Sequence, residues 1–339
     1  MTISTPDGTA RKPKASISLD LDNQWSYMKT HGDEGWQSFP SYLDLVVPRV
    51  LDLLARHNLK ITFFIVGQDA ALEKNHKALR SIADAGHEIG NHSFHHEPWL
   101  HLYTPEQVAT EIEQAEDAIM TATGVRPTGF RGPGFSVSLE VLKTLKARGY
   151  QYDASTFPTF IGPAARAYYF MNARLPKEER KKRSALFGTF SEGLRPLKPY
   201  NWQLSNGPLL EVPVTTIPML RAPFHLSYIL YLAGYSRPIA RRYFLTALQM
   251  CRLRKVEPSL LLHPLDFLGG DDIDVLKFFP AMQIPGRQKV AIADELFAAF
   301  RNQFDVLPMG EYVRTVQSRG GLPTKTPAFR KEQALAVPA

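Results

Sequence analysis

Cysteine is almost absent from this chain of 339 residues: Cys251 stands alone. No disulfide can form within the chain, and nothing in it demands an oxidising compartment. No run of about 18 uncharged apolar residues occurs, so a single-pass transmembrane helix is not expected. Met1 to Ser16 is polar and carries Pro6 and Pro13. It lacks the apolar stretch of a signal peptide, and the expected location is the cytoplasm. There is no internal repeat and no long low-complexity tract. Carboxylates are missing between Glu211 and Glu257, a stretch that holds Arg221, Arg237, Arg241, Arg242, Arg252, Arg254 and Lys255. The net charge of +7 is therefore clustered, which favours an anionic partner. No nucleic-acid motif or repeating aromatic spacing accompanies it, so nucleic acid is not the expected partner.

What is present is an alternation of strand-like and helix-like segments. Ser16–Leu19 is β-prone. Ile61–Val66 is a continuous apolar strand stopped by Gly67, suited to burial on both faces. Between them, Leu43, Val46, Val47, Val50, Leu51 and Leu54 fall on one helical face. A second helix is predicted over about 75–85. A third starts at Thr104-Pro105-Glu106-Gln107, with a Thr cap, Pro first and Gln third, and runs to Gly124. A fourth is capped by Ser138 and ends at Gly149. Leu209–Thr215 and Ser259–Leu262 read as later strands. Residues 160–208 carry scattered prolines and a basic run, Lys177 to Arg183, and read as a long loop or insertion. The tail from Gly320 reads as disordered.

The chemistry-bearing residues sit where the strands end. His92 and His96, four apart, are placed to share a metal, while His95 points elsewhere. Asp20-Leu21-Asp22 puts two carboxylates on one side of a strand. One could bind a cation while the other stays free to take a proton. Like charges so close need a cation nearby. Arg131, opening Arg-Gly-Pro-Gly, could hold such a carboxylate ionised, and the glycines leave a backbone N–H bare for an oxyanion. His263 ends the apolar strand Leu261-Leu262. Each motif alone also fits a turn, a cap or a hydrogen-bonded rim residue.

In order, these motifs resemble the NodB-homology polysaccharide deacetylases, carbohydrate esterase family 4, over about 15–157 and again over 259–266. The resemblance implies an α/β fold, a distorted (β/α)7-type barrel with a large insertion, and one divalent metal ion, most often zinc, with Co, Ni, Mn or Fe also accepted. It implies Asp22, His92 and His96 as metal ligands and Asp20 as general base held by Arg131. Gly134 would be the oxyanion donor and His263 the general acid. Leu261 would line the acyl pocket, and Asp153 would orient His263. The chain departs from the family pattern where Leu21 splits the Asp pair, where Gly-Pro-Gly-Phe follows Arg131, and where no Trp follows Asp153.

The expected organisation is a flexible 1–14, a catalytic domain over 15–318 with an insertion at about 160–257, and a flexible 319–339. The expected activity is removal of an acetyl or formyl group from an N-acylated aminosugar, such as a polyprenyl-phosphate-linked cell-envelope precursor. The basic, apolar stretch 221–255 would then meet the inner-membrane surface peripherally. The alternatives are hydrolysis of a small linear or cyclic amide, and a non-catalytic carbohydrate- or lipid-binding member of the fold.

Overall fold

The computed structural model describes residues 12–161 and 190–329. The N-terminal stretch and the basic run Lys177 to Arg183 lie outside the described residues. In chain order the strands are β1 (Lys14–Leu21), β2 (Thr62–Ile65), β3 (Glu88–Asn91), β4 (Gly129–Phe130), β5 (Tyr152–Asp153), β6 (Tyr200–Trp202), β7 (Leu209–Glu211), β8 (Ser259–Leu262), β9 (Asp305–Leu307) and β10 (Thr324–Lys325). The helices are α1 (Gln24–His31), α2 (Leu43–Arg56), α3 (Gly67–Ala70), α4 (His76–Asp84), α5 (Pro105–Thr123), α6 (Leu139–Ala147), α7 (Leu226–Ala233), α8 (Arg237–Leu253), α9 (Gly286–Gln303) and α10 (Met309–Arg319).

The strands form one mixed sheet in the order β10-β6-β7-β5-β4-β3-β2-β1-β8, with β9 also on β1. Every pairing is parallel except β6 with β7. Past β7 the backbone still follows its neighbour, Val212 N donating to Asp153 O at 2.9 Å. Thr215 N then donates to Ser259 O of β8 at 3.1 Å, and Ser259 N to Thr215 Oγ1 at 2.8 Å.

Strand periodicity sorts side chains between two layers. On β1, Ala15, Ile17, Leu19 and Leu21 join the apolar core beneath the helices, with α2 supplying Leu43, Val46, Val47, Val50 and Leu54. The alternate residues Ser16, Ser18 and Asp20 are buried too, but polar. β8 repeats the pattern: Leu260 and Leu262 enter the helical core, while Leu261 packs with Phe157 and Val214. Arg131 reaches Ser18 and Asp20 of this polar face and so draws β1 into the site.

The capping signals act as the sequence predicts. Thr104 and Gln107 form a reciprocal capping box at the start of α5, and Ser138 caps α6. Two expectations need correction. Leu209–Glu211 pairs with β5, so this part of 160–257 belongs to the main sheet instead of an insertion. The stretch after Gly320 is not a loose tail throughout, since Thr324 and Lys325 pair with Asn201 and Trp202. Phe329 then packs on Trp202, ring centroids 5.7 Å apart. Ending the chain after Leu322 should cost about 1–2 kcal/mol through lost apolar burial, read as a lower urea midpoint. An unchanged midpoint would show that this strand contributes nothing.

Candidate metal centre

Asp22 lies just past the end of β1, and His92 just past β3. His96 lies four residues on, in a loop where Ser93 and His96 adopt positive φ, 63° and 55°. That conformation is rare for residues with a Cβ and must be held from outside. Main-chain bonds from Gly67 N to Ser93 O (2.8 Å) and Gln68 N to Phe94 O (2.9 Å) fix one side. Asn91 Oδ1 accepts Ser93 N at 2.8 Å. Glu111 of α5, 3% exposed, fixes the other side. Its Oε1 accepts the N–H groups of Phe94 (3.0 Å) and His95 (2.6 Å), and its Oε2 meets His95 Nδ1 at 2.8 Å. This hydrogen bond to Glu111, working against burial, raises the His95 pKa. His95 thus pins the loop and leaves its neighbours free to ligate.

One ligand atom each from Asp22, His92 and His96 lies within 4.8 Å of the others. His96 Nε2 is 2.9 Å and His92 Nε2 3.4 Å from Asp22 Oδ1. Asp22 Oδ1 is buried and faces these two imidazoles. Burial works to raise the Asp22 pKa, yet the two imidazoles hold it well below the usual carboxylate range. His92 Nδ1 contacts Arg131 O at 2.6 Å, which turns Nε2 inward, as metal-binding imidazoles are usually oriented. Tyr27 donates to Asp22 Oδ2 at 3.2 Å and Tyr42 to Asp22 O at 2.6 Å. Two nitrogens and one oxygen, converging and already oriented, fit a zinc-like divalent ion.

Arg131 is wholly buried. Its Nη1 donates to Asp20 Oδ1 at 2.8 Å and Ser18 Oγ at 2.9 Å, and its Nε to Ala154 O at 2.9 Å. The guanidinium lies 4.6 Å over the Phe64 ring. Gly132 follows because the chain folds back at once: a Cβ there would fall 1.9 Å from Ser136 O. Gly134 has φ +58° and sits beside Pro98 of the His96 loop, 3.2 Å from where its Cβ would be. The turn after Arg131 therefore faces the metal loop.

On the far side, Leu261 packs with Phe157 and Val214, with Phe135 against them. Phe157 stacks on Phe135 there, ring centroids 4.8 Å apart. Asp153 accepts from Ser155 Oγ, whose oxygen in turn accepts Gly132 N at 2.8 Å. It also lies against Glu211, and burial together with the Asp153 charge pushes Glu211 well above the usual range. Burial raises the Asp153 pKa as well. The described hydrogen bonds of His263 go elsewhere: Nδ1 meets Ser227 Oγ at 3.2 Å, and its N–H donates to Asp266 Oδ2 at 2.8 Å. His225 is a further buried imidazole here, its ring centroid 5.8 Å from that of His263. Burial, then the neighbouring His263 and Arg131, holds it well below its usual range. Glu111, Ser227 and His225 escape the sequence reading, since each looks like an ordinary residue of a helix or helix start.

Residues 23–152 match the family model described as polysaccharide deacetylase. Over this segment the chain is similar to that family. His92, His96, Arg131 and Gly134 fall inside the match, while Asp20, Asp22, Asp153, Leu261 and His263 lie outside it. Among curated relatives, the Bacillus subtilis peptidoglycan-N-acetylmuramic acid deacetylase PdaA is 36% identical over 105 residues, 31% of this chain and 39% of its own. The Listeria monocytogenes peptidoglycan-N-acetylglucosamine deacetylase PgdA is 32% identical over 111 residues, 33% of this chain and 23% of its own. The chain thus spans under two fifths of either relative. The fold extends further. A Mycobacterium smegmatis crystal structure assigned to the polysaccharide deacetylases covers 97% of this chain and 98% of its own, with TM-score 0.63 and 21% identity. Puue allantoinase covers 92% of each chain, with TM-score 0.54 and 14% identity.

Replacing Glu111 by Ala should release the loop that carries His96 and weaken zinc binding by about 10–100-fold, measured by competition with a chromogenic chelator. An affinity equal to wild type would mean that the loop holds its shape without this clamp.

Proposed function

We propose that this protein is a metal-dependent deacylase that hydrolyses the N-acyl group of an aminosugar. The observation that carries the proposal is the buried convergence of Asp22, His92 and His96 beside an independent Asp20–Arg131 pair. A divalent ion held by those three ligands would polarise the scissile carbonyl and acidify water. Asp20, fixed by Arg131, takes the proton from the attacking water. The N–H of Gly134, in the turn facing the metal loop, is the donor for the oxyanion. An amine leaves poorly unless protonated, so an acid is needed on the other side. His263 is that acid, and the Leu261, Phe157 and Val214 cluster receives the acyl methyl. Zinc is the favoured metal on donor chemistry.

The sheet is read as a distorted barrel, with the Thr215–Ser259 bonds as its seam; this supports strand ends that converge on one site. A membrane surface is the favoured setting for the substrate. No helix among the described residues is long and apolar enough to cross a membrane. Leu226, Ile229, Leu230, Phe244 and Leu248 of α7 and α8 are buried in the core. Yet Tyr235 and Ile239 are 76% and 63% exposed beside Arg237 and Arg242, a combination suited to anionic headgroups.

Purified protein should hold one divalent ion per chain by elemental analysis, and the Asp22→Ala variant none. Asp20→Asn should keep the ion and lose at least about 100-fold in amine release from acetylated or lipid-linked aminosugars. A wild-type protein without a stoichiometric ion would sink the catalytic reading. For the surface, wild type should float with anionic liposomes, and an Arg237/Arg241/Arg242→Glu variant should not. If both stay in the soluble fraction, the membrane setting fails.

A further inference from the structure

The oxygen ligand of the metal centre leaves β1 and the two imidazoles leave β3, and β2 lies between those strands, paired with both. The chain exits β2 through the short helix α3 (Gly67–Ala70). Gly67 lets this turn press on the imidazole loop: a Cβ there would fall 2.7 Å from Phe94 Cδ2 and 2.7 Å from Ala115 Cα of α5. From that position the N–H groups of Gly67 and Gln68 hold Ser93 O and Phe94 O. Asp69, the next residue, reaches the other arm with its side chain. Its Oδ1 accepts Asn23 Nδ2 at 2.7 Å and Trp25 Nε1 at 2.9 Å. Asn23 directly follows Asp22 and caps α1. Its Oδ1 accepts the N–H groups of Gln24 (2.8 Å) and Tyr42 (3.1 Å), and its Nδ2 also donates to Ser41 Oγ at 2.9 Å. Asn75 Nδ2 closes the network on Asp69 O at 3.0 Å. Asn23, Trp25, Asp69 and Asn75 are each 2% exposed or less.

A carboxyl so deep is costly to keep. Burial pushes the Asp69 pKa up to about 7, against the Asn23 and Trp25 bonds. Only one of its oxygens is employed, since Oδ2 is buried without a hydrogen-bond partner among the described residues. We infer that Asp69 is a positioning residue of the metal centre: through Asn23 it ties Asp22 to the turn that grips the His92–His96 loop, and so presets the spacing of the three ligands. The inference rests on those three residues holding a divalent ion. Ligands already spaced lose less freedom on binding, and outer partners of metal ligands are typically worth about 10–100-fold in affinity. Asp69 acts at one remove, through the residue next to Asp22, so the lower end applies. Because Oδ1 alone makes the bonds, position 69 must supply an acceptor and not a charge. Glu111 holds the imidazole loop from α5; Asp69 is the link from that loop across to the oxygen ligand.

Two readouts test this: zinc affinity by competition with a chromogenic chelator, and the visible spectrum of the cobalt-loaded protein, which reports ligand geometry. Asp69→Ala should bind zinc about tenfold more weakly and shift the cobalt bands. Asp69→Asn, which keeps the acceptor, should match wild type in both. Asn23→Ala cuts the link from its other end and should match Asp69→Ala, with the double variant no weaker than either alone. Leu248→Ala, in the apolar core on α8, should lower the urea midpoint and leave both metal readouts unchanged. Wild-type affinity and cobalt bands in Asp69→Ala overturn the inference. So does an Asp69→Asn loss equal to that of Asp69→Ala, or additive losses in the double variant. Equal weakening in Leu248→Ala would reduce the effect to general instability and overturns it as well. If Asp69→Ala does not fold, Asn23→Ala decides, and wild-type affinity there is fatal. An Asp22→Ala variant that binds zinc as tightly as wild type removes the metal centre itself, a result distinct from any failure at position 69.

Discussion

A guanidinium with no access to solvent has to be matched by its surroundings, and Arg131 sets the terms for everything near it. Removing one partner of such a pair costs about 3–5 kcal/mol, because a bare charge stays behind in the interior. The surroundings of Arg131 are correspondingly complete: Asp20 and Ser18 from β1, Ala154 O after β5, and the Phe64 face from β2. Its main-chain oxygen meets His92. One residue therefore joins four strands of the sheet, fixes the candidate base and orients a metal ligand. The site's precision is a by-product of satisfying a charge that the fold cannot expose.

The same economy explains the polar inner face of β1. A strand that alternates Ser-Ile-Ser-Leu-Asp would be poor on a half-solvated sheet, since its small polar residues would add nothing to a core. Buried on both sides it makes sense. The odd residues hold the helical layer, and the even residues are the only ones short and polar enough to admit Arg131 and leave Asp20 at the rim. Asp22, one step beyond the last paired residue, is carried clear of the sheet toward the imidazoles.

Much of this was legible from sequence, and for a physical reason. Strand alternation, helix caps and the four-residue His spacing are local, and local signals survive in one dimension. Thr104 and Gln107 cap α5 as their spacing says, and Asp22, His92 and His96 meet as theirs suggests. What was hidden is held by long-range pairing. Glu111 looks like any carboxylate on an amphipathic helix until the loop it clamps folds over it. Glu211 and Asp153 are far apart in sequence, so their shared burial leaves no trace in either segment. Thr324 and Lys325 have no strand-like composition of their own; they are ordered because β6 offers an edge. Ser227 and His225 lie in a stretch whose apolar, arginine-flanked character suggested a membrane surface and masked their place beside His263.

That last case bears on how the two halves of the site differ. The metal and base side is built from residues within the matched family segment or adjoining it, tied to one buried arginine. The His263 side is assembled from α7 and the turn after β8, both outside that segment. Charge on the base side is fixed by direct contact. Around His263 the described contacts are a serine hydroxyl, Ser227 Oγ at 3.2 Å, and the Asp266 carboxyl on its main-chain N–H. A chain that varies its substrate while keeping its chemistry would be expected to vary there first. The segment that delivers Ser227 also presents Tyr235 and Ile239 to solvent, so a ligand engaging that surface would touch the same helix pair that packs beside His263.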